Sequence, residues 1–105
     1  MVLVTVKPKN ITIKGHANFD EAGKDIVCSS VSSIVTTTVN AILIFNEKAI
    51  KYTVKKGLVN IEIQKKDAST KKLLDNMVSL LEELSNNYPK NIKVERKWTI
   101  WILWN

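Results

Sequence analysis

Val2, Val4 and Val6 alternate with Leu3, Thr5 and Lys7, a period of two with one wholly apolar face, which is the mark of a half-buried β-strand. Pro8-Lys9-Asn10 supplies turn chemistry and Ile11-Thr12-Ile13-Lys14 alternates again, so the pattern opens on a hairpin. Gly15 to Lys24 holds two glycines among small or polar residues and reads as a loop of about ten residues. The run from Ile26 to Phe45 is rich in Val and Thr, which favour strands. Its period decides otherwise: Val27, Val31, Ile34, Val35, Val39, Ile42 and Leu43 recur at helical spacing. The expectation is a helix about 30 Å long, capped by Asp25, with its stripe packed on a sheet.

Ala49 to Val54 and Leu58 to Ile63 flank Lys55-Lys56-Gly57 and predict a second hairpin. Ser69 or Thr70 opens a second helix with Leu73, Met77, Leu80, Leu81, Leu84 and Tyr88 on one face, and Asn86-Asn87-Tyr88-Pro89 ends it. Ile92 to Arg96 alternates into a last strand. The order β-β-α-β-β-α-β describes an α/β two-layer sandwich, two helices on one face of a mixed or antiparallel sheet. Residues 1–97 make one domain, and Trp98 to Asn105 form an apolar tail holding all three tryptophans. A strand continued through the tail would put Ile92, Val94, Trp98, Ile100, Ile102 and Trp104 on one face, interrupted by Arg96. Burial against the domain or a partner subunit is expected for it, because an exposed edge of this kind promotes aggregation.

Composition changes this picture little. With 105 residues, 45% of them hydrophobic and 25% charged, the chain can bury a core without staples. A single cysteine excludes an internal disulfide, so an oxidising compartment offers no gain. The first residues lack the basic leader of a signal peptide, and no segment is expected to approach the roughly 18 apolar residues of a membrane helix. A cytoplasmic address is therefore the expectation. The formal charge of +6 rests on scattered lysine pairs and one arginine, Arg96. A nucleic-acid face more often shows clustered Lys and Arg, so a solvated surface is the plainer reading. Contact with nucleic acid is expected only through a ribosome, if at all.

The only histidine and the only cysteine, His16 and Cys28, lie twelve residues apart. With the helix starting at Asp25, Cys28 sits in its first turn, where free amides and the macrodipole lower a thiol's pKa. A histidine within hydrogen-bond reach could take the thiol proton and later protonate a leaving amine, and amides around Cys28 could hold an oxyanion. Asp25 has two readings, cap of the Cys28 amide or orienter of the imidazole. By itself the pair carries little weight, since a helical cysteine is commonly a small buried hydrophobe. A zinc site would need Asp20 or Glu21 to complete the shell, and no metal or cofactor is expected.

Gly15-His16-Ala17, followed by Gly23-Lys24-Asp25-Ile26-Val27-Cys28-Ser29-Ser30-Val31-Ser32, closely resembles the signature of the ribosomal-processing cysteine protease family, Prp. The likeness continues through Thr37-Thr38-Val39-Asn40, Leu81-Glu82-Glu83-Leu84 and Tyr88-Pro89-Lys90-Asn91-Ile92-Lys93-Val94, spanning essentially residues 1 to 97. The resemblance implies a cysteine endopeptidase whose Cys/His dyad is Cys28 and His16. Asp25 and Ser32 match positions lining the same site. It further implies a homodimer, and a substrate that is the precursor of the twenty-seventh protein of the large ribosomal subunit, cut to remove its N-terminal extension. The loop Ala17 to Lys24, bracketed by Gly15 and Gly23 as hinges, would move with substrate. Ser29-Ser30 stand where alanines are common in the family, and the tail lies beyond its pattern. The rival reading, a ribosome- or RNA-associated binding module without catalysis, differs in requiring steeply salt-dependent RNA binding.

Overall fold

The computed structural model describes residues 1–15 and 22–97, with the side chains of residues 22–25 outside that description. His16, the part of the expected Ala17–Lys24 loop from Ala17 to Glu21, and Trp98 to Asn105 therefore lie outside the described residues. Five strands and two helices succeed one another as β1 (Val2–Val6), β2 (Asn10–Lys14), α1 (Ala22–Phe45), β3 (Ile50–Lys55), β4 (Leu58–Ile63), α2 (Ala68–Asn87) and β5 (Ile92–Arg96). The expected order and the two-layer α/β class are borne out.

Alternation sets the sheet. Val2, Val4 and Val6 of β1 and Ile11 and Ile13 of β2 are buried, while the residues between them are partly or fully exposed. The first hairpin pairs Val4 with Ile13 and Val6 with Ile11, and its turn is closed by the Lys7 N–H donating to Asn10 O at 2.9 Å. β2 then pairs with β4 (Ile11 with Ile61, Ile13 with Val59), and β4 with β3. β5 joins the far edge parallel to β1, with Val2 opposite Ile92 and Val4 opposite Val94. The resulting order, β3-β4-β2-β1-β5, is a mixed sheet whose two long connections each carry a helix. A parallel pair requires such a crossover, and α2 supplies it. The uncovered face is polar, with Asn10 donating to Asn60 across the strands at 3.0 Å.

The α1 stripe behaves as the period predicts. Val27, Val31, Val35, Val39 and Ile42 are buried, and Ile34 and Leu43 are half-buried against the same core. The helix starts earlier than expected, at Ala22 in place of a cap at Asp25. Asp25 is its fourth residue and Gly23 its second, so both lie in the first turn, and Ala22 to Lys24, expected in the loop, are helical. A glycine costs a helix about 1 kcal/mol relative to alanine, and that penalty is too small to stop a helix whose later turns are held by the core. The expectation that no segment approaches a membrane helix is also corrected. Ile26–Phe45 forms 20 helical residues of mean hydropathy 1.6, long and apolar enough to cross a bilayer. Serines and threonines interrupt its aliphatic residues and so disguise it, but it holds no charged side chain. Its inner stripe is spent on the domain core.

Helix α2 begins at Ala68 with Asp67 as cap, ahead of the expected Ser69 or Thr70. The Asp67 carboxylate accepts from the Thr70 N–H at 2.8 Å and from the Thr70 hydroxyl at 3.0 Å, which holds its pKa below the ordinary value. The buried positions are Thr70, Leu74, Met77, Val78 and Leu81; Leu80, expected inside, is 39% exposed. The helix leans on α1 as well as on β5, which turns Leu74 and Val78 inward and Leu80 out. The end falls at Tyr88, whose N–H donates to Leu84 O at 2.9 Å, before Pro89.

Arg96 of β5 clamps Glu82 of α2 with two hydrogen bonds of 3.0 and 2.9 Å. These bonds, more than the charge attraction and against partial burial, draw the Glu82 carboxyl below its usual pKa. A depressed folded-state pKa contributes stability above the unfolded value, and that contribution disappears as pH falls through the folded value. Both side chains are more than a third exposed, which keeps the gain small. Glu82→Gln should therefore cost about 0.5 kcal/mol at neutral pH. The gap between the two proteins should close in urea titrations run well below the carboxylate range.

Candidate active site

Cys28 is the seventh residue of α1, in its second turn, and half-buried beside the fully buried Val27. This corrects its expected place in the first turn. The amides of the first turn lack helical partners, and here that turn begins at Ala22. The Cys28 N–H lies beyond them, committed to the helix, and is not placed to hold an oxyanion as the sequence suggested.

The thiol lines a cleft of about 290 Å³ at one end of the sheet. Val31, Ser32, Val35 and Thr36 continue the α1 wall from Cys28. Val2, Ile13 and Gly15 form the floor at the β1–β2 end, and Tyr52, Val54, Leu58 and Val59 of the second hairpin close the opposite side. Ser32, four residues after Cys28, shares its helix face and is exposed at the cleft. The apolar walls suit the side chains of an extended peptide, and among the described lining residues Lys55 is the charged one. Sequence reasoning missed the hairpin wall altogether. Alternation revealed the strands β3 and β4, but only the β2–β4 pairing, Ile13 against Val59, brings their turn beside the thiol.

Gly15, the residue before His16, lines the same cleft as Cys28. Its φ is +93°, and its N–H donates to Gly57 O at 2.9 Å. Gly57 also has a positive φ, +75°, in the β3–β4 turn, so two left-handed residues tie the end of β2 to the second hairpin. A Cβ on Gly15 would stand 2.5 Å from the Met1 carbonyl oxygen. The α1 backbone places Gly23 five residues and Asp25 three residues before Cys28.

A two-layer α/β domain that carries a helix-borne cysteine at a largely apolar cleft is compatible with a small thiol-dependent hydrolase. The family model described as cysteine protease Prp matches residues 1–93, and the chain belongs to that family, an enzyme family of cysteine-type peptidases. Among its relatives, the ribosomal processing cysteine protease Prp of Mycoplasma genitalium is 27% identical over 99 residues, covering 92% of this chain and 97% of that one. The protein of the same description from Bacillus subtilis is 31% identical over 87 residues, covering 76% and 78%. In fold, the chain resembles the Staphylococcus aureus ribosomal processing protease Prp crystallised with a covalently linked product peptide. That match has a TM-score of 0.84 at 24% identity and covers 92% of this chain and 100% of that one.

Gly15→Ala should lower stability by about 1–2 kcal/mol from the dihedral alone, and further from the clash with Met1. Asn tolerates the left-handed region but keeps the Cβ. If close approach to Met1 matters as much as the dihedral, Gly15→Asn will melt near Gly15→Ala in thermal unfolding. Recovery of most of the stability in Gly15→Asn would leave the dihedral as the whole cost.

Proposed function

We propose that the chain is an endopeptidase working through a Cys28/His16 dyad. Its proposed role is to remove the N-terminal extension of the twenty-seventh protein of the large ribosomal subunit, in the cytoplasm, during ribosome maturation. The observation that carries the dyad is the cleft that Cys28 shares with Gly15, the residue immediately before His16. The substrate reading rests on the family and on relatives named for ribosomal processing.

In this scheme the Cys28 thiol gives its proton to the His16 imidazole, and the thiolate sulfur attacks the scissile carbonyl carbon. The tetrahedral intermediate collapses as the C–N bond breaks and the imidazolium protonates the leaving amine. Water, deprotonated by the imidazole, then cleaves the thioester and restores the thiol. The dipole of a helix acts mainly within its first turn. With Cys28 in the second turn, thiolate formation depends on His16 more than on the helix end. Helix α1 starting at Ala22 also removes the capping role from Asp25, which favours its other reading, the orienter of the imidazole. Ser32 contributes a hydroxyl to the cleft wall.

Cys28→Ala should abolish cleavage of a precursor peptide and leave the thermal melt near that of the parent. His16→Ala should be nearly as damaging, and the double variant no slower than the worse single one, because the two groups act as a unit. Product masses from a synthetic precursor read this directly. Retained cleavage in Cys28→Ala would remove the nucleophile, while an active dyad that ignores the ribosomal sequence would remove only the substrate.

The homodimer implied by the family is proposed to form through the outer face of α1. Ser29, Ser33, Thr37 and Asn40 lie exposed there with no charge among them, and Ile26, Ile44 and Phe45 are 53%, 85% and 76% exposed. An uncharged, partly apolar face can meet its own copy about a two-fold axis without like-charge repulsion. Phe45→Lys should convert a dimer to a monomer in light scattering; a monomeric parent, or a dimer untouched by that change, would redirect the interface elsewhere.

A further inference from the structure

A second cavity, of about 100 Å³, lies at the end of the sheet opposite Cys28. Its walls are apolar: Val6, Ile11 and Ile63 from the sheet, Leu74 and Val78 from α2. Among the described residues its lining also carries five cations, Lys7, Lys65, Lys66, Lys71 and Arg96, of which Lys71 pairs with Asp75 and Arg96 with Glu82. The catalytic reading uses none of these residues. An apolar hole ringed by cations is poorly filled by water, and an aliphatic occupant gains nothing from the ring. An aromatic occupant gains from both, since the faces of indole rings attract ammonium and guanidinium groups.

Such a segment starts at the wall of this cavity. In the parallel pairing of β1 and β5, Arg96 stands opposite Val6, and the Lys97 N–H donates to Val6 O at 2.8 Å. The chain thus passes residue 97 at the cavity's own rim. The segment Trp-Thr-Ile-Trp-Ile-Leu-Trp, from 98 to 104, has no charged side chain and contains every tryptophan of the protein. Seven residues reach about 23 Å when extended, ample for turning back over a cavity that begins beside residue 96. We propose that Trp98 to Trp104 docks in cis over this lysine-rimmed cavity, its apolar side chains filling the hole and its indoles facing the cations. Docked there, the tail covers the far end of the sheet and leaves the Cys28 cleft open, so it does not inhibit its own enzyme.

Because all tryptophans lie in the tail, quenching of a bimane label by tryptophan reports the tail alone. The label would be attached through Lys66→Cys at the cavity mouth, or through Lys55→Cys at the catalytic cleft. Both use a Cys28→Ser chain that retains only Trp104, the others being Trp98→Phe and Trp101→Phe. The reference for each is the same chain with Trp104→Phe, which removes the quencher without shortening the protein. The proposal expects at least a twofold loss of emission at position 66, unchanged by dilution, and none at position 55. Equal emission with and without Trp104 at position 66 would overturn it, as would quenching at position 55, which would put the tail in the catalytic cleft. Quenching of labelled Trp104→Phe chains at position 66 on mixing with unlabelled chains that retain Trp104 would also overturn it, by moving the tail onto a second copy.

Discussion

The stripe of α1 against the sheet is the contact on which the rest depends. Val27, Val31, Val35, Val39 and Ile42 recur at intervals of three or four and are all buried against the strands. Each fully buried aliphatic side chain of this size contributes about 1.5–3 kcal/mol, far more than any surface ion pair in the domain. The stripe also sets rotation. With Val27 and Val31 turned into the core, Cys28 falls at the stripe's edge, half-buried, where a thiol can be reached from a cleft without being lost inside. A slip of one residue in that packing would bury the thiol or turn it to bulk water.

Sheet order does the second part of the work. Antiparallel pairing of β2 with β4 places the turn at Gly57 beside the end of β2, and the Gly15–Gly57 hydrogen bond locks the two together. The parallel β1–β5 pair sends the other end of the sheet toward α2 and the lysine-rich connections. The two ends thus acquire different chemistry. One has a thiol among apolar walls; the other has an apolar hole among cations.

The early start of α1 bears on catalysis. A helix starting at Asp25 would have placed Cys28 among the free amides of a first turn. With the start at Ala22, Cys28 is one turn further in, so in the proposed dyad the electrostatic help would have to come from the His16 imidazole, and Asp25 is not the helix cap.

The order of elements, the strands of both hairpins and the α1 stripe were legible in the sequence, because periods of two and 3.6 are local consequences of burying one face. Cys28 and His16 stand out in the sequence as the only residues of their kinds, and their pairing is proposed from the family resemblance around them. The helix starts were not. Gly23 and the Ser-Thr pairs send weak local signals, and packing of the later turns decides where a helix can begin. Nor was the inward face of α2, where Leu74 and Val78 replaced Leu80, since that face answers to α1 and β5 together. The Tyr52–Val59 wall of the cleft and the cavity under the lysines belong wholly to tertiary structure. Both are made by strands distant in sequence, and the pairing energy that joins them depends on the whole sheet, so no local window of residues contains it.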